Sequence, residues 1–425
     1  MSRLAIPVER HRLDNGLRIV LSQDRTVPVV AVNLWYGVGS RNEPPGKTGF
    51  AHLFEHMMFQ GSAHVPKNKH FELIERVGGN LNATTWFDRT NYFETVPSHD
   101  LELALWLESD RMGWMLPAMD QEKLDNQRDV VKNEKRQNYD NQPYGDWSER
   151  LQAIMYPEAH PYHHTVIGSM GDIDAATLDD VASFFRTYYV PSNAVLTVAG
   201  DFEPSATLEL IRRYFGEIAA GDPVPPLPGN PEVSATLGGT ARDHVRADVP
   251  LPRVIMAFRT PPYSAPSFAV VEVSRALLGM GRASRLYRRL VRERRVAKSV
   301  VTYVYPLMTS ASMLLVWATG FESTEPEVLE RALAEEIRAL AEADESEVRR
   351  AIALTETDLV LTLERTAERA DLLSMFELYF DDPGRLNREL DRLRAVTPEQ
   401  IRELAATRLG ADNRAVITYE PLARR

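Results

Sequence analysis

A proline- and glycine-rich segment divides this chain of 425 residues into two parts of similar length. Residues 219–239 hold five prolines and four glycines in 21 positions, which is typical of an extended linker. On both sides of it the hydrophobic pattern predicts the same order: a strand, two helices, further strands and helices, and a final strand. We therefore expect an internal duplication with domains at 1–220 and 241–425, joined by a linker at 221–240.

Four of the predicted elements carry most of the polar residues with a recognisable spacing. Residues 47–60 and 120–138 show the apolar spacing of helices, and 80–97, after the Gly78-Gly79 pair, reads as a β-hairpin. In the second half, residues 284–295 show the spacing of another helix. The polar side chains of these segments are therefore the candidates for a functional site.

Composition narrows the class of protein. The net charge of −11 argues against a nucleic-acid binder, which would present a basic face. The absence of cysteine excludes thiolate metal sites and cysteine nucleophiles, so any metal needs His, Asp or Glu ligands.

No apolar run approaches the roughly 18 residues of a membrane span. We expect a cytoplasmic protein, or a periplasmic one if a leader has been removed.

The most informative motif lies in the first half, in 49-GFAHLFEHMMFQGS-62. His52, Glu55 and His56 interrupt a run that is otherwise apolar, and on a helix their spacing places them on one face. Two imidazoles at this spacing can both reach one Zn²⁺ at about 2.1 Å. Glu55 would then lie beside the open coordination position and could take a proton from a water there. This HxxEH order is the inverse of the HExxH zinc-protease helix.

The alternative is that both histidines are core residues satisfied by hydrogen bonds. Burying the three polar side chains unpaired would cost roughly several kcal/mol, which favours a metal. Catalytic zinc usually has three protein ligands and a water, so a third ligand is needed. In the predicted helix 120–138, Gln127 and Glu134 are seven residues apart and share a face. Taken alone, Glu134 would be read as a solvated surface glutamate.

Several motifs together give a family resemblance. The segment HLFEHMMFQGS, a GG-N-x-N-A-x-T hairpin and then R-D-V-V-x-x-E resemble the pitrilysin/insulinase zinc metallopeptidases, and most closely the short mitochondrial-processing-peptidase type. Supporting matches run along most of the chain, such as HPY at 160–162 and YVPSNA at 189–194. The resemblance implies an α+β (α/β) fold of two homologous halves, each a mainly antiparallel sheet covered by helices, as in the processing-peptidase/LuxS-like metallohydrolases.

The resemblance also assigns roles. His52, His56 and Glu134 would bind one Zn²⁺ per chain, and Glu55 would be the general base of a zinc metalloendopeptidase. The hairpin strand at Asn82, Ala83 and Thr84 would bind substrate peptide by β-augmentation, whereas its alternative is an ordinary paired hairpin. Together with a second chain, the two halves would enclose a chamber that admits oligopeptides or unfolded segments.

The sequence departs from the family pattern at two places. Gln127 stands where many members have a glutamate thought to support the site, and an amide can hydrogen-bond a ligand histidine but carries no charge. In 292-RERRVAKSVV-301, Arg292 fits an arginine of active single-chain relatives, but Lys298 stands where their tyrosine would be. We therefore expect a heterodimer whose second subunit supplies the Arg/Tyr pair. The alternative is a homodimer in which Tyr303 or Tyr305 substitutes.

Three competing interpretations stay open on sequence alone. His160, His163 and His164 form a rival metal site or, with the family, a loop that packs near the substrate site. The chain could also be a non-catalytic structural subunit, like the respiratory-complex core proteins of this fold, although those usually lose the HxxEH motif. The last interpretation is a peptide-binding scaffold with a purely structural zinc.

Overall fold

The structure is a computed structural model that describes residues 4–422. Its strands are β1 (Glu9–Arg12), β2 (Arg18–Gln23), β3 (Val29–Tyr36), β4 (Asn80–Thr85), β5 (Thr90–Pro97), β6 (Ala194–Gly200), β7 (Gly239–Ala247), β8 (Arg253–Thr260), β9 (Ala297–Tyr305), β10 (Ser312–Gly320) and β11 (Asn413–Pro421). Its α-helices are α1 (Phe50–Met57), α2 (Lys69–Arg76), α3 (Leu101–Trp114), α4 (Gln121–Lys135), α5 (Trp147–Met155), α6 (Met170–Ala175), α7 (Leu178–Tyr188), α8 (Pro204–Phe215), α9 (Phe268–Gly279), α10 (Pro326–Arg338), α11 (Glu345–Leu363), α12 (Thr366–Phe380), α13 (Glu389–Arg394) and α14 (Pro398–Arg408).

The described chain forms two compact units. Unit 1 comprises residues up to 135, 164–229 and 361–388, and unit 2 comprises 136–163, 230–360 and 389 onward. The predicted boundary at 221–240 lies where unit 1 gives way to unit 2. The sequence did not predict that residues 136–163 of the first half belong to unit 2, or that residues 361–388 of the second half belong to unit 1. The reason is that helices α5 and α12 in these segments pack on strands that are distant in sequence.

Unit 1 is built on a six-stranded sheet in the order β1-β2-β6-β3-β5-β4. Every neighbouring pair is antiparallel except β2 and β6. Strand β3, VVAVNLWY, is rich in β-branched and aromatic residues and almost fully buried, because α12 packs on it from one face and α3 contacts it as well. Strand β4 lies at the edge of this sheet, next to α1.

Unit 2 is built on a five-stranded sheet in the order β7-β11-β8-β10-β9. Here β7 and β11 are parallel and the other pairs are antiparallel. Helices α9 and α10 pack on β9 and β10, and α5 packs on β11. The predicted fold class, two halves that each hold a mainly antiparallel sheet covered by helices, is confirmed.

One predicted helix has a different form. Residues 284–295 contain a π-helical turn at Tyr287–Glu293, with the amide of Arg294 bonded to the carbonyl of Arg289 at 2.9 Å. A second π-turn, Arg136–Asp140, follows α4 directly. Over so few residues the apolar spacing of a π-turn cannot be distinguished from that of an α-helix, which is why the pattern predicted a regular helix.

Candidate metal centre

Helix α1 carries the two histidines and is held at its start by a buried glutamate. Gly49 precedes the helix at φ +89°, where a Cβ would lie 2.7 Å from the carbonyl oxygen of Ile167. Gly49 has no side chain that could cap the helix. The carboxylate of Glu43 does so instead, because it accepts hydrogen bonds from the amides of Gly49 (2.8 Å) and Ala51 (2.7 Å). The helix is apolar around most of its circumference, so it is buried.

The structure brings together the three residues that the sequence proposed as ligands. Helix α4 buries Leu124, Gln127 and Val131, and this face turns Glu134 towards α1. Glu134 Oε2 lies 3.6 Å from His52 Nε2 and 3.4 Å from His56 Nε2. Among residues 4–422 this is the one group of three or more His, Asp or Glu side chains whose ligand atoms lie within 4.8 Å of one another.

These three groups fit a zinc ion. A tetrahedral shell with bonds of about 2.1 Å places its ligand atoms about 3.4 Å apart, close to the distances between Glu134 and the two imidazoles. Two imidazoles and one carboxylate form a known donor set of catalytic zinc sites. Burial, and next the neighbouring His56, lower the pKa of His52 to about 4, so its imidazole is neutral and able to bind a metal near neutral pH.

The proposed general base is tied to the sheet edge. Glu55 Oε2 accepts a hydrogen bond of 2.7 Å from the hydroxyl of Thr85, the last residue of β4. Burial raises the pKa of Glu55, while the Thr85 hydrogen bond and the charges of His56 and Arg89 act in the opposite direction. The Glu55 carboxylate is next in sequence to the proposed ligand His56. Its burial makes it a stronger base than an exposed glutamate.

The side chain of Gln127 is bonded to Asn126 and makes no hydrogen bond to His52 or His56 among the described residues. Its side chain is buried, but its amide nitrogen donates to Asn126 Oδ1 at 2.9 Å. His52 Nδ1 is buried and without a hydrogen-bond partner among the described residues. The bond to Asn126 uses the amide nitrogen of Gln127, and the support of a ligand histidine by its amide oxygen stays a prediction.

The proposed substrate strand has an accessible edge. Strand β4 pairs with β5 on one side only, and Asn82 is exposed whereas Ala83 is buried and Thr84 is half-buried. The amide of Ala83 bonds the side-chain oxygen of Asn82 at 2.9 Å. A peptide that adds to this edge would compete with that contact for the amide.

The residues proposed in the second half lie in unit 2. Arg292 is exposed in the π-turn, and Lys298 is exposed at the start of β9. Tyr303 is 44% exposed on β9, an edge strand, whereas Tyr305 is nearly buried, with its ring centre 6.4 Å from that of Trp147. Of the two tyrosines, Tyr303 is thus the accessible one.

The three histidines of residues 160–164 do not form a metal site. His160 bonds the carbonyl of Pro231 and accepts from the amide of Tyr162, both at 3.0 Å. His163 bonds the carbonyl of Tyr156, and His164 lies 3.7 Å from Glu43. Each ring has its own contact, and the three histidines are not among the described residues whose possible ligand atoms converge.

Sequence reasoning missed Glu43 and Thr85. Glu43 lies seven residues before the first residue of the helix it holds, in a loop, and gives no periodic signal. Thr85 is 30 residues from Glu55, and only the pairing of β4 with β5 places it beside α1. The signal that could have found Thr85 is the alternation of the strand, which puts it on the same face as Ala83.

Comparison with known proteins places this arrangement in a family. Residues 18–166 match the family described as insulinase (peptidase family M16), and residues 175–355 match the domain described as peptidase M16 inactive domain.

Within residues 4–422, the helices are all too short or too polar to cross a membrane.

Individual relatives agree with these matches. The chain is 30% identical to the zinc protease PqqE of Helicobacter pylori, over 88% of this chain and 84% of that protein. It is 29% identical to an uncharacterized zinc protease of Mycobacterium leprae, over 93% and 88%. A crystal structure of a Helicobacter pylori protease superposes with a TM-score of 0.91 at 27% identity, covering 98% of this chain and all (100%) of that one. The chain therefore belongs to the insulinase family of peptidases, family M16.

Proposed function

We propose that this chain is a zinc metalloendopeptidase that hydrolyses oligopeptides or unfolded polypeptide segments. The observation that carries the proposal is the convergence of His52, His56 and Glu134 beside Glu55. Relatives at about 30% identity are named zinc proteases, which supports the same chemistry here. The proposed stoichiometry is one zinc per chain, supported by the single ligand group found in residues 4–422.

In this proposal His52, His56 and Glu134 hold the zinc, which when bound polarises the attacking water and the scissile carbonyl. Glu55 takes the proton of that water and delivers it to the leaving amine. Thr85 holds the Glu55 carboxylate by its hydroxyl, so the base keeps one orientation during the transfer.

Substrate is bound by the edge of β4. Backbone hydrogen bonds from an edge strand recognise an extended peptide with little regard to its side chains. This mode requires a flexible chain, so the proposed substrates are oligopeptides and unfolded segments. Asn82, whose side chain bonds the Ala83 amide, would release that amide to the peptide.

We further propose that a second subunit of the same family completes the site and makes the active species a heterodimer. Arg292 is exposed in the π-turn of unit 2, but Lys298 occupies the place of the tyrosine that active single-chain relatives carry. One relative, from Arabidopsis thaliana, is itself named as a probable mitochondrial-processing peptidase subunit beta. The alternative is a homodimer that uses the accessible Tyr303.

The alternative from another class is a non-catalytic structural or peptide-binding subunit. A chain of complex III from Candida albicans has the same fold, with a TM-score of 0.79 at 15% identity. This likeness concerns the fold alone. The intact ligand group and Glu55 favour the peptidase.

The test is hydrolysis of a mixed quenched-peptide library by the purified chain, with zinc measured on the same sample. Chelator-sensitive cleavage with about one zinc per chain would support the peptidase and favour the homodimer. Bound zinc without cleavage would favour the heterodimer, and adding a family member with the Arg/Tyr pair should then restore cleavage.

The matched variant is Glu55→Gln. Removing a general base should lower kcat by about 10²–10⁴-fold, while zinc content and the unfolding midpoint stay as in the wild type. Wild-type turnover in this variant would contradict the assignment of Glu55. A chain that binds no zinc would contradict the whole proposal.

A further inference from the structure

Strand β4 presents different residues to the two faces of the unit 1 sheet. Thr85 and, two residues earlier, Ala83 lie on the face of α1, where Thr85 reaches Glu55. Thr84 lies on the opposite face and donates to Asn91 of β5 at 2.6 Å. A peptide strand added to β4 alternates in the same way, so every second side chain of it lies on the face away from α1.

That opposite face holds a cavity of about 200 Å³ beside the edge strand. Strands β3, β4 and β5 contribute Asn33, Thr84 and Asn91, and the first two turns of α12 contribute Glu368 and Asp371. All of these residues belong to unit 1. The cavity therefore lies where α12 leaves the outer part of the sheet uncovered.

A carboxylate is fixed in this cavity by buried donors. Asp371 Oδ1 accepts hydrogen bonds from Trp35 Nε1 (2.7 Å), Asn91 Nδ2 (2.9 Å) and Asn33 Nδ2 (3.3 Å). Asn33 and Asn91 are only 1% and 2% exposed, so these donors are buried at the base of the cavity. All three hydrogen bonds end on Oδ1, which leaves Oδ2 to accept from a ligand.

The cavity is net negative. Its charged residues are Asp371, Glu368 and Arg89, two negative charges against one positive charge. Arg89 donates through one nitrogen, Nη1, to the carbonyl of Thr84 at 2.7 Å and to Asn91 Oδ1 at 3.2 Å, and its guanidinium lies 5.1 Å from the ring centre of Trp35. The excess negative charge and the Asp371 oxygen that makes no hydrogen bond among the described residues, Oδ2, favour a cationic ligand.

The position of the cavity also favours long side chains of the bound peptide over short ones. Neighbouring strands lie about 4.8 Å apart, so a peptide strand on β4 lies roughly 10 Å from β5. A short side chain ends before the cavity, whereas the stems of lysine and arginine can cross β4 and place a charged head beside Asp371.

We propose that this cavity is a specificity subsite for a lysine or arginine side chain of the bound peptide. The inference rests on the proposed function, because it concerns the peptide that β4 binds. It makes the enzyme selective for one basic residue at a fixed distance from the scissile bond, on the face away from α1.

The test uses quenched peptides that are identical except for Lys, Arg, Gln or Met at one position, which is moved along the sequence. Wild type should show about tenfold higher kcat/KM for Lys and Arg at one position. Glu368→Lys should abolish or reverse that preference, measured within the variant as the ratio of kcat/KM for the Lys and Gln peptides. Asp371→Asn should weaken the preference while it keeps an acceptor oxygen for its three donors.

The matched control is Glu364→Lys, which makes the same charge change at an exposed glutamate that does not line the cavity. It should retain the wild-type preference. An unchanged preference in both cavity variants, or equal loss in the Glu364→Lys control, would overturn the subsite.

Binding separates this inference from the proposed function. The same peptides, labelled, are titrated into the Glu55→Gln variant and followed by anisotropy. Selective binding of the Lys peptide, lost with Glu368→Lys, would support the subsite even if the wild-type chain hydrolysed nothing. Cleavage without any basic preference would overturn the subsite and leave the peptidase standing, and neither binding nor cleavage would overturn both.

Discussion

At the scale of single residues, the Thr85 hydroxyl links the strand proposed to bind substrate to the residue proposed to move the proton. Its oxygen lies 2.7 Å from Glu55 Oε2 and 3.5 Å from the hydroxyl of Thr90 on β5. Because Thr85 is the last residue of β4, a peptide bound along β4 and the base are held by the same strand. This contact positions Glu55 without touching the reacting atoms.

Thr85→Val should therefore lower kcat more than it raises KM. A hydrogen bond to a charged group contributes about 1.5–3 kcal/mol, which corresponds to roughly 10- to 100-fold in kcat. Thr85→Ser should restore most of the rate, and zinc content should be the same in all three proteins. Steady-state kinetics on one quenched peptide measure this, and an equal kcat in the valine and serine variants would contradict the role of the hydroxyl.

At the scale of elements, helix α1 is positioned by a loop residue and not by its own sequence. It starts from Gly49, which offers no side-chain cap, and Glu43 supplies the acceptors for two of the first amides. The ligand histidines lie in the first two turns of this helix. A shift of its start would therefore move His52 and His56 relative to Glu134.

Glu43→Ala should destabilise the chain and weaken zinc binding together. Two buried amides lose their acceptor, so we expect a loss of roughly 2–4 kcal/mol in the free energy of unfolding. Urea denaturation and zinc titration measure the two effects. The control is Glu203→Ala, an exposed glutamate paired with Arg25, which should change stability by less than about 1 kcal/mol. Normal zinc affinity in Glu43→Ala would show that the cap does not position the ligands.

At the scale of the whole molecule, unit 1 buries two carboxyl groups beside one arginine. Glu94 is 2% exposed, and Glu108 and Arg111 are each 1% exposed. Glu108 is paired directly with Arg111, whose guanidinium also lies 4.2 Å from the ring centre of Tyr92. Burial, and next the negative charge of Glu108, raise the pKa of Glu94 well above its ordinary value, which favours the protonated form of this carboxyl in the folded protein.

This gives a pH dependence with a defined sign. The pKa of Glu94 is higher in the folded than in the unfolded chain, where it is about 4.3. Its contribution to stability is thus full below about pH 4.3 and is lost as the pH rises through the folded value. Glu94→Gln should match wild type near pH 4 and become relatively more stable as the pH increases. Urea unfolding of both proteins over a pH series measures this, and a constant difference would contradict it.

Much of the candidate site could be predicted from local spacing. The i, i+3, i+4 pattern of His52, Glu55 and His56 and the seven-residue step from Gln127 to Glu134 both follow from helix geometry. The role predicted for Gln127 could not be settled in this way, because the direction of an amide depends on its immediate neighbours. In the structure that neighbour is Asn126.

The sequence by itself determined the duplicated fold, the HxxEH helix and the glutamate on a second helix, because periodicity and family motifs are local in the chain. Only the tertiary structure decided which distant residues serve that helix. Glu43 and Thr85 contact that helix and its glutamate only because the loop and strand β4 are folded beside it. On the other face of the sheet, the position of Asp371 depends on the packing of α12 against strands hundreds of positions earlier. Such contacts produce no periodic pattern in the sequence, because the two residues of each contact are far apart in the chain and come together only when the sheet has formed.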